Sequence, residues 1–237
     1  MKKYIYYLLL LSSLSSFAQG GIINKSMFSK RPLINLENFD KQRLRFGFFL
    51  GLNMYDFKID KVKEEQDIIV DSQMGFNVGL IANLRLTEHL DLRFEPGLQY
   101  GQRNLRFPNI NDPVDALREV KSTYLHFPLL LKMSATRVGN IKPFLLAGVS
   151  TDLNLSSNAN SLDDNSSNRF RMLKNTNNYE LGAGIDIYFE YFKFSPSIRG
   201  VFGINNELIP DKDPNSPWTG NMEAIKTRGI FLNFAFQ

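Results

Sequence analysis

From residue 44 the chain alternates. Leu44, Phe46, Phe48, Leu50, Leu52 and Met54 are separated by Arg45, Gly47, Phe49, Gly51 and Asn53, so apolar side chains recur at every second position. A period of two is the spacing of one face of an extended strand, whereas a helix repeats every three to four residues. The same pattern returns at Gln73 to Leu86, Leu90 to Arg103, Tyr124 to Met133, Ile141 to Leu155, Asn178 to Glu190, Phe192 to Arg199 and Gly229 to Gln237. The spacing predicts about eight strands of roughly ten residues each, the even number and length used by membrane-spanning barrels.

The joints alternate too. Thr87 to His89, Thr136 to Asn140 and Glu190 to Tyr191 are short, while Lys58 to Ser72, Asn104 to Arg118, Ser156 to Thr176 and Asn205 to Ala224 are long and polar. In a transmembrane barrel this means tight periplasmic turns, long outer loops and both termini in the periplasm. A soluble sandwich also alternates, but with strands of about five or six residues. Tyr55, Tyr100, Tyr124, Tyr179, Tyr188, Tyr191 and Phe192 lie near strand ends, where girdle aromatics would sit. The reading is therefore an all-β fold: a transmembrane antiparallel β-barrel of about eight strands with a filled polar interior.

On this reading the polar parity lines the lumen. Arg85, Asp91, Arg93, Glu95, Glu180, Asp186, Arg199 and Arg228, four basic and four acidic, are expected to form an interior network together with His126. Buried charges are tolerated when paired and hydrogen-bonded, and an eight-stranded interior is only wide enough for side chains. A conducting pore is not expected. Pro96, Pro128, Pro143 and Pro196 fall inside predicted strands, where each removes a ladder donor, so a bulge or strand end is expected at each.

The N-terminus reads as an export signal over residues 1–18, with Lys2 and Lys3, an apolar run from Tyr4 to Leu11 and Ser16-Phe17-Ala18 before the cut. The absence of Cys excludes a lipid anchor, disulfides and thiolate chemistry together. A periplasmic arm over 19–41 then leads into the barrel at 42–237. The +4 net charge is spread along the chain, which gives no nucleic-acid footprint.

No catalytic constellation emerges. The chain has two His, His89 in a predicted turn and His126 in the lumen, and neither has a Ser and an orienting partner at matching parity. Two separated His without Cys make no metal site. The acidic pieces at 163–168 and 211–216 lack Ca2+-loop spacing, and the G-x-G at 182–184 lies within a strand. No cofactor is expected, and the protein reads as non-enzymatic.

The strings R-F-E-P-G-L-Q-Y at 93–100, Y-L-H-F-P-L-L-L-K at 124–132, K-P-F-L-L-A-G-V-S at 142–150 and E-L-G-A-G-I-D-I at 180–187 resemble the PorT-type outer-membrane β-barrel family. The resemblance runs from about residue 42 onward and takes in three of the four prolines. The family commonly carries Glu where this chain has His126, so no carboxylate role transfers there. The resemblance implies an outer-membrane component of the type IX protein secretion and gliding-motility machinery, with outer-membrane lipid and other secretion proteins as partners. The alternative is a free-standing surface barrel that binds an external ligand or neighbour through its long loops.

Overall fold

The computed structural model describes residues 33–62, 67–112, 114–159, 170–214 and 216–237. The signal reading over 1–18, the first part of the arm and the acidic piece at 163–168 lie outside them. Ten strands follow a short 3-10 turn at Phe39–Lys41: β1 Leu44–Lys61, β2 Ile69–Ser72, β3 Met74–Arg85, β4 Leu90–Phe94, β5 Gly97–Arg106, β6 Leu117–Ser134, β7 Ile141–Asn154, β8 Asn175–Tyr188, β9 Lys193–Gly203 and β10 Met222–Phe236. β2 runs into β3, and β4 into β5, as single interrupted staves, so the ring has eight. Every pairing is antiparallel and, apart from the closing one, between staves adjacent in the chain. The ring closes where β1 pairs with β10, from Phe48↔Phe236 to Lys61↔Met222. The expected barrel is the observed fold.

Closure and alternation place the two parities. Phe46, Met74 and Leu80 are 68%, 72% and 66% exposed, and they belong to an outward apolar belt with Leu50, Leu52, Phe76, Leu129, Leu145, Leu181, Ile198 and Leu232. Water would penalise so large a contiguous apolar surface, and a bilayer favours it. Arg45, Asn53, Asn77, Glu95, His126 and Glu180 point inward and are buried. Where the aromatic side chains do turn inward, glycine makes the room. Gly79 and Gly97 are paired across β3 and β5, and a Cβ on either would lie within 3 Å of the Phe49 ring.

The strands are longer than the alternation predicted. β1 runs on to Lys61, β6 starts at Leu117 and β10 at Met222, in stretches expected to be loop. In these extensions the sense of the pattern inverts. Inside the belt the outward parity is apolar; beyond it Asp56, Lys58, Glu119, Lys121 and Arg228 face outward, while Phe57, Leu105, Val120 and Ile225 face inward. These inward residues, with Phe107, Phe170, Met172 and Met222, form an apolar core at the long-loop end. The strands leave the membrane as an ordinary water-facing barrel with a greasy inside. An alternation read with one fixed sense therefore loses the strand where the surroundings change.

The prolines sit at gaps, not bulges. The register across Glu95-Pro96 is unbroken: Ala82↔Phe94 and Gly79↔Gly97 bracket it on β3, and Phe94↔Leu129 and Gly97↔His126 on β6. Glu95 N donates to Pro128 O, so the donorless side of Pro128 faces the same gap. Two prolines share one interruption. Pro196 similarly faces the gap in the β8–β9 ladder between Gly184↔Ser197 and Ile187↔Phe194. Pro143 lies near a strand end, its carbonyl accepting from Ala135 N at 2.9 Å.

The girdle expectation holds in part. Tyr179 and Tyr191 are exposed, with Phe192 beside them, whereas Tyr55, Tyr124 and Tyr188 are buried in the lumen. These three share the parity of polar neighbours, and each phenol finds a polar partner inside.

A cation at the middle of the lipid-facing belt is the sharpest test of this orientation. Leu50→Arg is expected to lower unfolding stability in liposomes by about 2–4 kcal/mol. The same residue introduced at Lys58, above the belt, should leave urea titrations and heat-modified gel mobility unchanged.

Candidate functional site in the barrel interior

The lumen is built in three storeys. At the short-turn end a strap, residues 33–42, crosses the mouth. Asp40 on the 3-10 turn takes Arg45 at 2.8 Å, Lys142 at 3.2 Å and the Tyr188 hydroxyl at 2.5 Å. Asn140 Nδ2 donates to Leu33 O (2.8 Å) and its Oδ1 accepts from Asn35 N (2.9 Å). Arg137 lies 3.7 Å over the Tyr188 ring and donates to the carbonyls of Asn35 and Leu36. Leu36 holds a left-handed φ of 49°, a conformation that costs energy for a non-glycine residue and persists because such bonds fix it. Burial by itself would raise the Asp40 carboxyl. The Tyr188 hydroxyl, Lys142, Lys193 and Arg45 outweigh it and hold the group below its ordinary value.

In the middle storey the charges form a continuous chain. Arg93 pairs with Glu95, and Glu95 with Arg199 at 2.9 Å. Arg199 also reaches Glu180 at 3.0 Å, and Glu180 lies 3.0 Å from His126 Nε2. His126 Nδ1 meets Asp152, which accepts from Asn178 at 2.7 Å. Toward the strap, Lys132 donates to both oxygens of Asp186 at 2.8 and 2.6 Å, Ser195 donates to the same carboxylate at 2.6 Å, and Arg45 bridges Asp91 to Asp40. Each carboxylate except Asp152, which meets His126 and Asn178, is contacted by an Arg or Lys, and such pairing is what lets the set leave water.

The third storey lies under the apolar core. Arg103 donates to Tyr124 at 2.6 Å, Thr227 at 3.0 Å and Ser122 at 3.1 Å, with its guanidinium 3.8 Å over the Phe57 ring. Glu207 descends from the loop at 204–221 and accepts from Thr227 N and Oγ1, both at 2.8 Å. Burial raises its carboxyl above the ordinary value despite the pull of Arg103. Because the folded state then holds the proton more firmly, this latch is strongest at low pH and weakens as pH rises above 4.5.

Seven of the nine residues expected in the interior network are there: Asp91, Arg93, Glu95, His126, Glu180, Asp186 and Arg199 are buried and paired. Two are not. Arg228 shares the parity of Ile230, faces outward and pairs with Asp56 at 2.6 Å. It stands in the inverted stretch of β10, where charge belongs outside. Arg85 has the inward parity but lies at the rim, donating to the carbonyls of Thr87 and Lys41. Arg45, Arg103, Lys132, Asp152 and Lys193 are interior members missing from the expected set; each lies on an inward parity. His89 sits in the turn before β4, its Nδ1 3.2 Å from the Ser134 carbonyl. Among the described residues no cluster of His and acidic side chains has the arrangement of a metal site.

Arg199 joins two carboxylates from separate staves, and truncating it leaves Glu95 to Arg93 and Glu180 to His126. Arg199→Ala is expected to cost about 3–5 kcal/mol in urea unfolding, with less loss in Arg199→Lys. Asp40, with its lowered value, supports the strap above its unfolded value of 3.8 and loses that support as pH falls through the lower folded value. Limited proteolysis near Leu33–Gln42 should accelerate below about pH 4, and Asp40→Asn should cleave quickly at every pH.

The sequence matches the family described as outer membrane protein beta-barrel domain over residues 17–208. No curated protein matches it. Among solved structures, the chain is similar to the outer membrane protein OprG from Pseudomonas aeruginosa, at 13% identity and TM-score 0.45 over 81% of this chain and 93% of that one. It is also similar to AlkL in lipid bilayers, at 10% identity and TM-score 0.43 over 88% and 93%. Neisserial surface protein A aligns at 9% identity and TM-score 0.40 over 79% and 95%. With the family match covering most of the sequence, the closed ring and the apolar belt have a common explanation: the chain belongs to the outer membrane protein beta-barrel domain family and is an outer-membrane β-barrel.

Proposed function

We propose that this protein is a non-enzymatic, non-conducting component of the type IX protein secretion and gliding-motility machinery, needed for export of cargo with C-terminal sorting domains. One observation carries the choice of a supporting role over a channel. The lumen is occupied by paired charges, roofed by an apolar core and floored by the strap at 33–42, bonded to Arg45, Arg137, Asn140, Lys142 and Tyr188. The strap ties the arm to the barrel at the periplasmic mouth and leaves Leu33 and Ile34 exposed there. A barrel that holds an arm in the periplasm suits docking of another secretion protein, and the PorT-type strings support that assignment.

A second reading has its own observation. Long-loop residues Phe107, Ile110, Pro217, Ser216 and Asn221 enclose an outward-facing cleft of ≈330 Å³. A free-standing surface barrel would use such a cleft for an external ligand.

Deletion of the gene separates the two. Loss of sorting-domain cargo from the medium and loss of surface spreading are the expected outcome; normal secretion in the deletion strain leaves the surface-barrel reading. In a complemented strain, an unrelated tail in place of residues 19–41 should abolish secretion while the barrel still assembles, as seen by heat-modified gel mobility.

A further inference from the structure

At the periplasmic mouth the barrel wall is more firmly built than the segment that covers it. Arg45, Asn140, Lys142, Tyr188 and Lys193 are buried, whereas no residue of the strap at 33–42 is. Leu33 and Ile34, which could have anchored the strap by apolar burial, are exposed. Polar contacts therefore hold it, and they are of two kinds. Asn140 and Arg137 bind its main chain, at Leu33 O, Asn35 N and the carbonyls of Asn35 and Leu36. Such bonds read no sequence and would accept any segment that follows the same path.

Side chains are read almost wholly at Phe39 and Asp40. The Phe39 ring has two cations near it, Lys193 Nζ at 4.9 Å and the Arg45 guanidinium at 5.9 Å from its centre. The Asp40 carboxylate accepts from Arg45, Lys142 and the Tyr188 hydroxyl, donors carried by β1, β7 and β8. Asn35 adds one bond, from Nδ2 to the Tyr188 carbonyl at 3.1 Å.

Charge decides what the wall demands. With Asp40 withdrawn, Arg45 keeps Asp91 at 2.8 Å, and Lys193 keeps Asp186, 3.9 Å away and shared with Lys132. Lys142 has no other acidic partner among the described residues. Arg45, Lys132, Lys142 and Lys193 then face only Asp91 and Asp186, and the excess positive charge attracts an anion. Leaving costs the strap no buried apolar side chain, and it releases Leu36 from its left-handed φ of 49°.

We propose that the periplasmic mouth is a docking socket for a partner-protein segment in which an aromatic residue is followed by Asp or Glu, and that residues 33–42 fill it in the free protein as a tethered competitor. The inference rests on the periplasmic docking role proposed above and names the chemistry by which a partner is taken. A peptide suits the socket better than a small anion, because main-chain donors and acceptors and a pair of cations beside a ring surround the carboxylate position.

The test uses the full mature chain in detergent micelles, where the mouth is accessible, and two fluorescent decapeptides followed by anisotropy. One has the strap sequence 33–42; the other is a Gly/Ser chain that keeps only the Phe and the Asp. The receiving protein is Phe39→Ala/Asp40→Asn, whose own strap no longer fills the socket. Both peptides should bind it, and both should bind wild type at least about tenfold more weakly, because a tethered segment competes at an effective concentration on the order of millimolar. Asn in place of the peptide's Asp, or Lys142→Gln added to the receiving protein, should each weaken binding about tenfold, with unchanged heat-modified gel mobility showing that the barrel is intact. Lys121→Gln, on the outer wall and paired with Glu119, should change nothing. Failure of either peptide to bind the opened variant, equal binding by wild type, indifference to the peptide's Asp or to Lys142, or displacement by inorganic phosphate as effective as that by unlabelled peptide each overturns the proposal. Failed peptide binding removes the socket and leaves the secretion role standing, whereas normal secretion in the deletion strain removes that role and leaves the binding result readable.

Discussion

Hydrocarbon offers no partner to a peptide N–H or C=O, so a chain that enters it as strands has to satisfy the backbone within itself and cannot leave an edge. Everything else here follows from that requirement. The β1–β10 ladder is the bond that meets it, because without that ladder two rows of backbone groups would face acyl chains. Closure around eight staves then sets a narrow interior, and the alternation that puts Leu50 and Leu232 in lipid puts Asn53 and Asn233 in that interior.

A lumen that narrow turns charge into structure. Arg93, Glu95, Arg199, Glu180, His126 and Asp152 stand on β4, β6, β7, β8 and β9 or at the break between β4 and β5, and two of their contacts, His126 with Glu180 and Arg199 with Glu95, link staves the backbone ladder does not join directly. Arg199 reaching Glu95 spans the barrel from β9 to the β4–β5 gap, so the proline-induced interruption is the point at which the interior network takes hold of that stave. The ends are closed by different physics: charge and backbone hydrogen bonds at the periplasmic mouth, where the strap meets Asp40's partners, and apolar packing of Phe57, Leu105, Phe170 and Met222 at the outer one. Glu207, reaching Thr227 from a loop, fastens that outer roof to the wall.

The inversion of the pattern above the belt has a simple cause. Within the membrane the outside is oil and the inside polar; a few residues further, the outside is water and the inside is a loop-covered core. Arg228 illustrates the consequence: its charge suggests the lumen, its parity with Ile230 puts it outside, and the parity decides. Beyond Met54↔Met74, β1 parts from the β2–β3 stave at the same border, since above the belt water can satisfy the backbone groups of Tyr55 to Lys61 and closure is no longer obligatory.

The alternation of apolar and polar residues was enough, without coordinates, to define the class of fold, the number of staves, the order of tight turns and long loops, and the inward position of seven charged or polar side chains. These properties are local: they need only the period of a strand and the length of a connection. The pairing of Arg199 with both Glu95 and Glu180, the docking of residues 33–42 under Asn140 and Tyr188, the absorption of two prolines by one gap and the opening between β1 and β2 were decided by the tertiary structure. Each depends on which residues of distant strands reach the same height in a closed ring, and height comes from register and tilt around the whole circumference, which no single strand carries in its own residues.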